Sequence, residues 1–114
     1  MTGKLNRKPP TFLAADLGAF EKLDTAFHSR VRLSLVSVLA VNESLSFTEL
    51  RDGLSLTDGN LAAHLRALAR AGVIKQRKIG NPLKPTTLIS LSANGRTNFR
   101  KYLDGLAHIV KRHR

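Results

Sequence analysis

The chain has 114 residues, enough for one compact domain with an extra helix or two and too few to suggest a second core. It has no cysteine, which excludes a disulfide framework, a thiolate metal site and a thiol nucleophile; 42% apolar content with no Trp and five Phe suits packed helices better than a β-sandwich. Net charge is +11 and one-sided: residues 1–60 hold seven Lys/Arg and seven Asp/Glu, whereas residues 61–114 hold twelve Lys/Arg against Asp104 alone.

A positive field confined to one half draws polyanions and raises their encounter rate, so nucleic acid is the leading partner and an anionic membrane surface a weaker one. A merely solubilising surface usually mixes signs. The longest apolar-leaning run, Val31 to Val41, is interrupted by Arg32, Ser34 and Ser37 and is too short and polar to cross a bilayer. No apolar run long enough for a signal peptide follows the basic amino terminus. A cytoplasmic soluble protein without a membrane partner is expected.

Residues 1–10 carry Lys4, Arg7 and Lys8 ahead of Pro9-Pro10 and read as a basic, mobile tail, with residues 11–114 as a single domain. Thr11 is placed to cap a helix over about residues 11–23, where Leu13, Leu17 and Phe20 share one side and Leu23 and Phe27 extend the pattern. Such a stripe serves either the core or a dimer surface. Asp24 or Ser29 caps the next helix, whose Val31, Leu35, Val38 and Leu39 fall on one face with Leu33, Val36 and Val41 at the flanks. Arg30 and Arg32 lie near its start, where the helix dipole disfavours cations, so a partner or nearby carboxylates are expected to answer them.

Ser46-Phe47-Thr48-Glu49 has the form of a capping box and opens a short helix with Leu50 inward and Gly53 as its stop. Leu54 and Leu56 anchor the turn that follows. Thr57 or Asp58 then caps a second helix running to about Ala71. Leu61, Leu65 and Leu68 form its inward face, with Ala62 and Ala69 beside them. The outward face offers Gly59, Asn60, Ala63, His64, Ala67 and Arg70, with Arg66 at the edge.

Small residues on that face let a helix sink into a major groove, and Asn60 and His64, four apart, present hydrogen-bonding groups to base edges. Asn carries the donor and acceptor pair that adenine requires, which makes Asn60 the better candidate for base readout. His64 stands open between a base contact, a phosphate contact and bracing the turn from within.

Beyond Gly72 the chain reads as an extended segment, Val73 to Ile79, a turn from Gly80 to Pro85, and a β-branched strand from Thr86 to Leu91. Lys75, Arg77, Lys78 and Lys84 make this hairpin basic. It is either a wing that straddles the phosphate backbone or reaches the neighbouring minor groove, or an edge hairpin protected by Lys. Ser92 caps the last helix, about residues 93–111, in which Gly95 and Gly105 lower intrinsic stability. Phe99, Tyr102, Leu103, Leu106, Ile109 and Val110 form a broad apolar stripe. Within it Phe99, Leu103, Leu106 and Val110 have the spacing of a two-helix seam, suited to docking on the domain or to pairing with a second subunit.

On segments 23–39, 46–74 and 86–96 the chain resembles the compact winged-helix transcriptional regulators related to the MarR and ArsR groups. The central pattern of capping box, turn, "GNL…HL…L…AG" and strand carries the likeness in combination. The resemblance implies a mainly α fold with a small β-hairpin, a winged helix-turn-helix with extra N- and C-terminal helices. It further implies a homodimer on double-stranded DNA, with recognition helices in successive major grooves of a pseudo-palindromic operator. Carried onto this chain, recognition falls to Thr57, Asp58, Gly59, Asn60, Ala63, His64 and Ala67, and the wing to Arg77, Lys78 and Lys84. The terminal helices join the subunits, through the stripes already named.

The sequence departs from metal-sensing relatives of this type, lacking cysteine and showing no paired metal-ligand spacing among His28, His64, His108 and His113; no metal and no cofactor are expected. An enzyme is not expected either, since there is no Gly-rich phosphate loop, no G-x-S-x-G motif and no obvious acid/base pair. Any small-molecule effector would have to use the dimer interface. The alternative is a winged-helix module that holds another protein or RNA.

Overall fold

The computed structural model describes residues 25–112, which leaves the basic tail and Leu13, Leu17 and Phe20 outside the described residues. A single 3-10 turn, Thr25–Phe27, leads into α1, Arg30–Ala40. Ser29 rather than Asp24 is the cap of α1: its hydroxyl accepts the Arg32 N–H at 3.3 Å. The inward face of α1 is Leu35, Val36 and Leu39, so Val36 belongs to the core and not to a flank, while Val41 ends 83% exposed beyond the helix. No carboxylate among the described residues pairs with Arg30 or Arg32, and Arg32 Nε is buried without a hydrogen-bond partner there.

A two-residue strand, β1 (Leu45–Ser46), precedes α2 (Phe47–Gly53) and α3 (Asp58–Arg70). The capping box at α2 is complete: Ser46 Oγ accepts the Glu49 N–H at 3.0 Å and Glu49 Oε1 accepts the Ser46 N–H at 2.9 Å. Gly53 is the last helical residue, yet the left-handed backbone of the turn falls two residues later, on Ser55 at φ 54°. Such a conformation costs a side-chain-bearing residue some strain. Leu54 and Leu56 pack half-buried on either side of Ser55 and hold the turn against the core.

β2 (Ile74–Asn81) and β3 (Lys84–Leu91) form an antiparallel hairpin, and β1 adds to the far edge of β3, giving the order β1-β3-β2. The turn expected over Gly80 to Pro85 is reduced to the corner Pro82-Leu83, with Asn81 paired to Lys84 and Gly80 to Pro85 inside the ladder. Two local features shorten it. Asn81 Oδ1 accepts the Leu83 N–H at 2.9 Å, a side chain taking the place of a backbone turn, and Gly80 supplies a φ of 92° that side-chain-bearing residues rarely adopt.

The core lies between α1, α2 and α3 on one side and the inward face of the sheet on the other. Leu50, Leu61, Leu65, Leu68, Val73, Ile74, Ile89 and Leu91 are all buried there. The last helix, α4 (Ala93–Arg112), closes the structure from the other end. Ser92 caps it, accepting the Gly95 N–H at 2.8 Å, and its hydroxyl also donates to the Gly72 carbonyl at 2.6 Å. Gly95 is not a weak point in this helix: its Cα faces Val73 so closely that a methyl group would stand 2.7 Å from the Val73 carbonyl carbon. Absence of a side chain is what lets α4 rest on the start of β2.

The apolar stripe of α4 is divided. Phe99 and Tyr102 turn into the chain's own core, where Phe27 packs edge-on against both at ring-centroid distances of 5.5 and 5.1 Å. Leu106 is partly buried against the same cluster. Leu103 and Val110 point outward, 46% and 60% exposed.

Candidate nucleic-acid interface

Thr57, not Asp58, is the cap of α3: its hydroxyl accepts the Asn60 N–H at 3.1 Å. That bond occupies the backbone of Asn60 and leaves its exposed carboxamide without a hydrogen-bond partner among the described residues. Asp58 opens the helix and is engaged sideways, one carboxylate oxygen lying 2.9 Å from Arg51 Nη1 of α2.

With Leu61, Leu65 and Leu68 buried, the opposite side of α3 is set by the helical repeat. Gly59, Ala63, Arg66 and Arg70 are exposed there, and Asn60 is exposed on one flank. Ala67 and His64 are half-buried on that same flank, so His64 stands nearer the core than Asn60 does. Ala69, expected beside the inward leucines, is exposed instead; a small side chain at the helix rim gains little by burial. Arg66 lies one turn before Arg70 and belongs to the outer face rather than its edge. The signal that would have found it is its four-residue spacing from Arg70.

The hairpin presents its cations on both faces. Lys75 pairs with Ser90 and Arg77 with Leu88, whereas Lys78 pairs with Thr87 on the side shared with buried Ile74 and Ile89. Lys84 begins the return strand beside the corner, and all four cations are exposed. On the outward face Lys75 and Arg77 border a cleft of about 560 Å³, completed by Glu43 and by Arg96 of α4. Arg96 is anchored by Nη1, which donates to the Ala40 carbonyl at 3.3 Å. Arg96 carries no signal in the sequence for this place, because nothing in the spacing of α4 sets it beside a hairpin formed earlier in the chain.

A helix face with small residues at Gly59 and Ala63, Asn60 on its flank and Arg66 and Arg70 toward its end, standing beside a two-sided basic hairpin, suits a grooved polyanion: the small residues allow close approach, and the cations lie at the level of a phosphate backbone. Among the described residues no group of three His, Cys, Asp or Glu is placed to hold a metal ion, and no helix is long and apolar enough to cross a membrane.

The family model described as a winged helix DNA-binding domain matches residues 31–110, from the first turn of α1 almost to the end of α4. The chain belongs to the winged helix DNA-binding domain family. An uncharacterized protein of Methanocaldococcus jannaschii is 32% identical over 85 residues, covering 75% of this chain and 92% of that one. The solved structure of a transcriptional regulator homologue from Pyrococcus horikoshii superposes with a TM-score of 0.76 at 26% identity, covering 85% of this chain and 95% of that chain. A protein from Enterococcus faecalis assigned to the MarR family of regulators has a TM-score of 0.65 at 21% identity, covering 92% of this chain and 87% of that chain, a likeness of fold. In winged-helix terms α2 and α3 are the helix-turn-helix, with α3 its second helix, and β2-β3 is the wing.

Proposed function

We propose that this winged-helix chain is a sequence-specific, double-stranded DNA-binding transcriptional regulator, cytoplasmic and homodimeric. Its α3 enters the major groove and its wing lies on the backbone or in the adjacent minor groove. The observation that carries the reading is the exposed face of α3, where Gly59 and Ala63 are small and the Asn60 carboxamide has no hydrogen-bond partner among the described residues, flanked by the basic wing. The Pyrococcus horikoshii structure, described as a transcriptional regulator homologue, supports the regulatory half of it.

Within this reading Asn60 reads a base edge, and Arg66, Arg70, Lys75, Arg77, Lys78 and Lys84 hold phosphates. Thr57, Asp58, Ala67 and His64 shape the face from its borders. Dimerisation falls to Leu103 and Val110 with the edge of Leu106, together with the stripe of Leu13, Leu17 and Phe20. Half-sites then lie about one helical turn, roughly 10 bp, or a multiple of it apart.

The reading is tested by titrating the protein against duplexes recovered by selection from genomic fragments, against random duplexes, single strands and RNA, at two salt concentrations. Preference for a recovered duplex over all the others is expected. Equal or tighter binding to RNA or single strands overturns the DNA reading in favour of an RNA-binding module. Sedimentation tests the dimer: a monomer at micromolar concentration with operator binding intact refutes it.

A further inference from the structure

We infer that the corner of the wing is an apolar wedge for the minor groove, with Leu83 inserted against a base step and the duplex bent at that point. The inference rests on the DNA-binding reading and goes beyond it, because it assigns a role to residues that carry no charge. Leu83 is 88% exposed, the most exposed large apolar side chain among the described residues.

The other exposed apolar residues have different surroundings. Val41 lies in the loop after α1, Leu103 and Val110 lie on α4, and Ile79, 40% exposed, lies within β2 and short of the corner. Leu83 alone stands at a tip bordered by cations, with Lys84 next to it and Arg77 and Lys78 farther along on opposite faces. Phosphates bound on both faces would centre the corner over the groove between them.

Dimensions then decide what enters. Strands in a ribbon lie about 4.8 Å apart before side chains are added, and a minor groove is about 6 Å wide. The body of the hairpin stays outside, and only the corner can pass. That corner has no free backbone N–H to offer the acceptors of the minor groove: Pro82 has none, and the Leu83 N–H is already taken by Asn81 Oδ1 at 2.9 Å. What it presents is a projecting isobutyl group on a backbone fixed by Pro82, by the Asn81 bond and by the left-handed Gly80. An apolar side chain so placed acts by parting a base step and kinking the duplex. The step it favours is a pyrimidine–purine step, which unstacks most easily.

The test uses the full chain and a duplex recovered by selection, with a fluorescent adenine analogue at the step under the wing and a donor and acceptor dye at the ends. Wild type is expected to raise the analogue's fluorescence and shorten the end-to-end distance. Leu83→Ala, at an exposed corner where folding is not at stake, should lose both signals and about tenfold in affinity. Leu83→Phe should keep them. If wild type binds the duplex without either signal, or if both persist in Leu83→Ala, the wedge is overturned while the DNA reading stands. If wild type binds no duplex at all, both fall together.

Discussion

Arg51 Nη1 donates to Asp58 Oδ1 across 2.9 Å, joining the last turn of α2 to the first residue of α3. The same guanidinium holds Asp52 through Nε, also at 2.9 Å, so one side chain braces both sides of the turn. Asp58 also sits where the dipole of α3 favours an anion. Exposed ion pairs contribute little to overall stability, so only a small effect of this one on unfolding is expected.

The brace predicts a pH dependence. Hydrogen bonding to Arg51 holds the Asp52 carboxyl below the usual carboxylate range. A depressed folded-state value means that the stabilisation is fully present above the unfolded value, about 3.9, and is lost as pH falls through the folded one. Urea midpoints of wild type and Asp52→Asn should therefore differ slightly near neutral pH and converge in acid. A gap that widens in acid contradicts the assignment.

Gly95→Ala separates two views of that glycine. Helix propensity alone would make alanine more stable by about 1 kcal/mol. The contact with Val73 reverses the sign, since a methyl group there overlaps the Val73 carbonyl and forces α4 away from β2. A net loss of about 3 kcal/mol or more is expected in urea denaturation.

Caps are written locally, as a hydroxyl or carboxylate three residues from the amide it meets, so Ser46 with Glu49 and Ser92 were legible at once, and Thr57 was one of two candidates. Contacts between distant segments were not. Strand β1 is two residues long and exists only by pairing with Leu88 and Ile89, and the wide stripe of α4 gave no hint that Phe27 would claim Phe99 and Tyr102 but leave Leu103 outside. On the candidate interface, the helical repeat placed Asn60 and Ala63 on the surface correctly, whereas Arg96 joined the wing's cleft through tertiary packing alone.

Asn60→Ala should cost about 1 to 3 kcal/mol in binding to a selected duplex and leave binding to random duplexes nearly unchanged. Competition titrations measure both. Equal loss on every sequence would move Asn60 from base contact to backbone contact.

Arg77→Ala should weaken binding to all duplexes alike and reduce the slope of log affinity against log salt by about one unit. Lys78→Ala makes the same measurement for the opposite face of the wing. If only one of the two changes the slope, the backbone is held from that face alone.

The hydroxyl of Ser92 bonds to Gly72, two residues beyond the end of α3, and to the first turn of α4, and Gly95 seats α4 directly on Val73. The two helices are thereby tied together across the joint. In a dimer assembled along α4, a signal at the subunit junction would have little means of reshaping the reading surface itself. It would act by swinging each head whole, so that the regulated quantity is the distance between two unchanging readers, matched or mismatched to the pitch of the double helix.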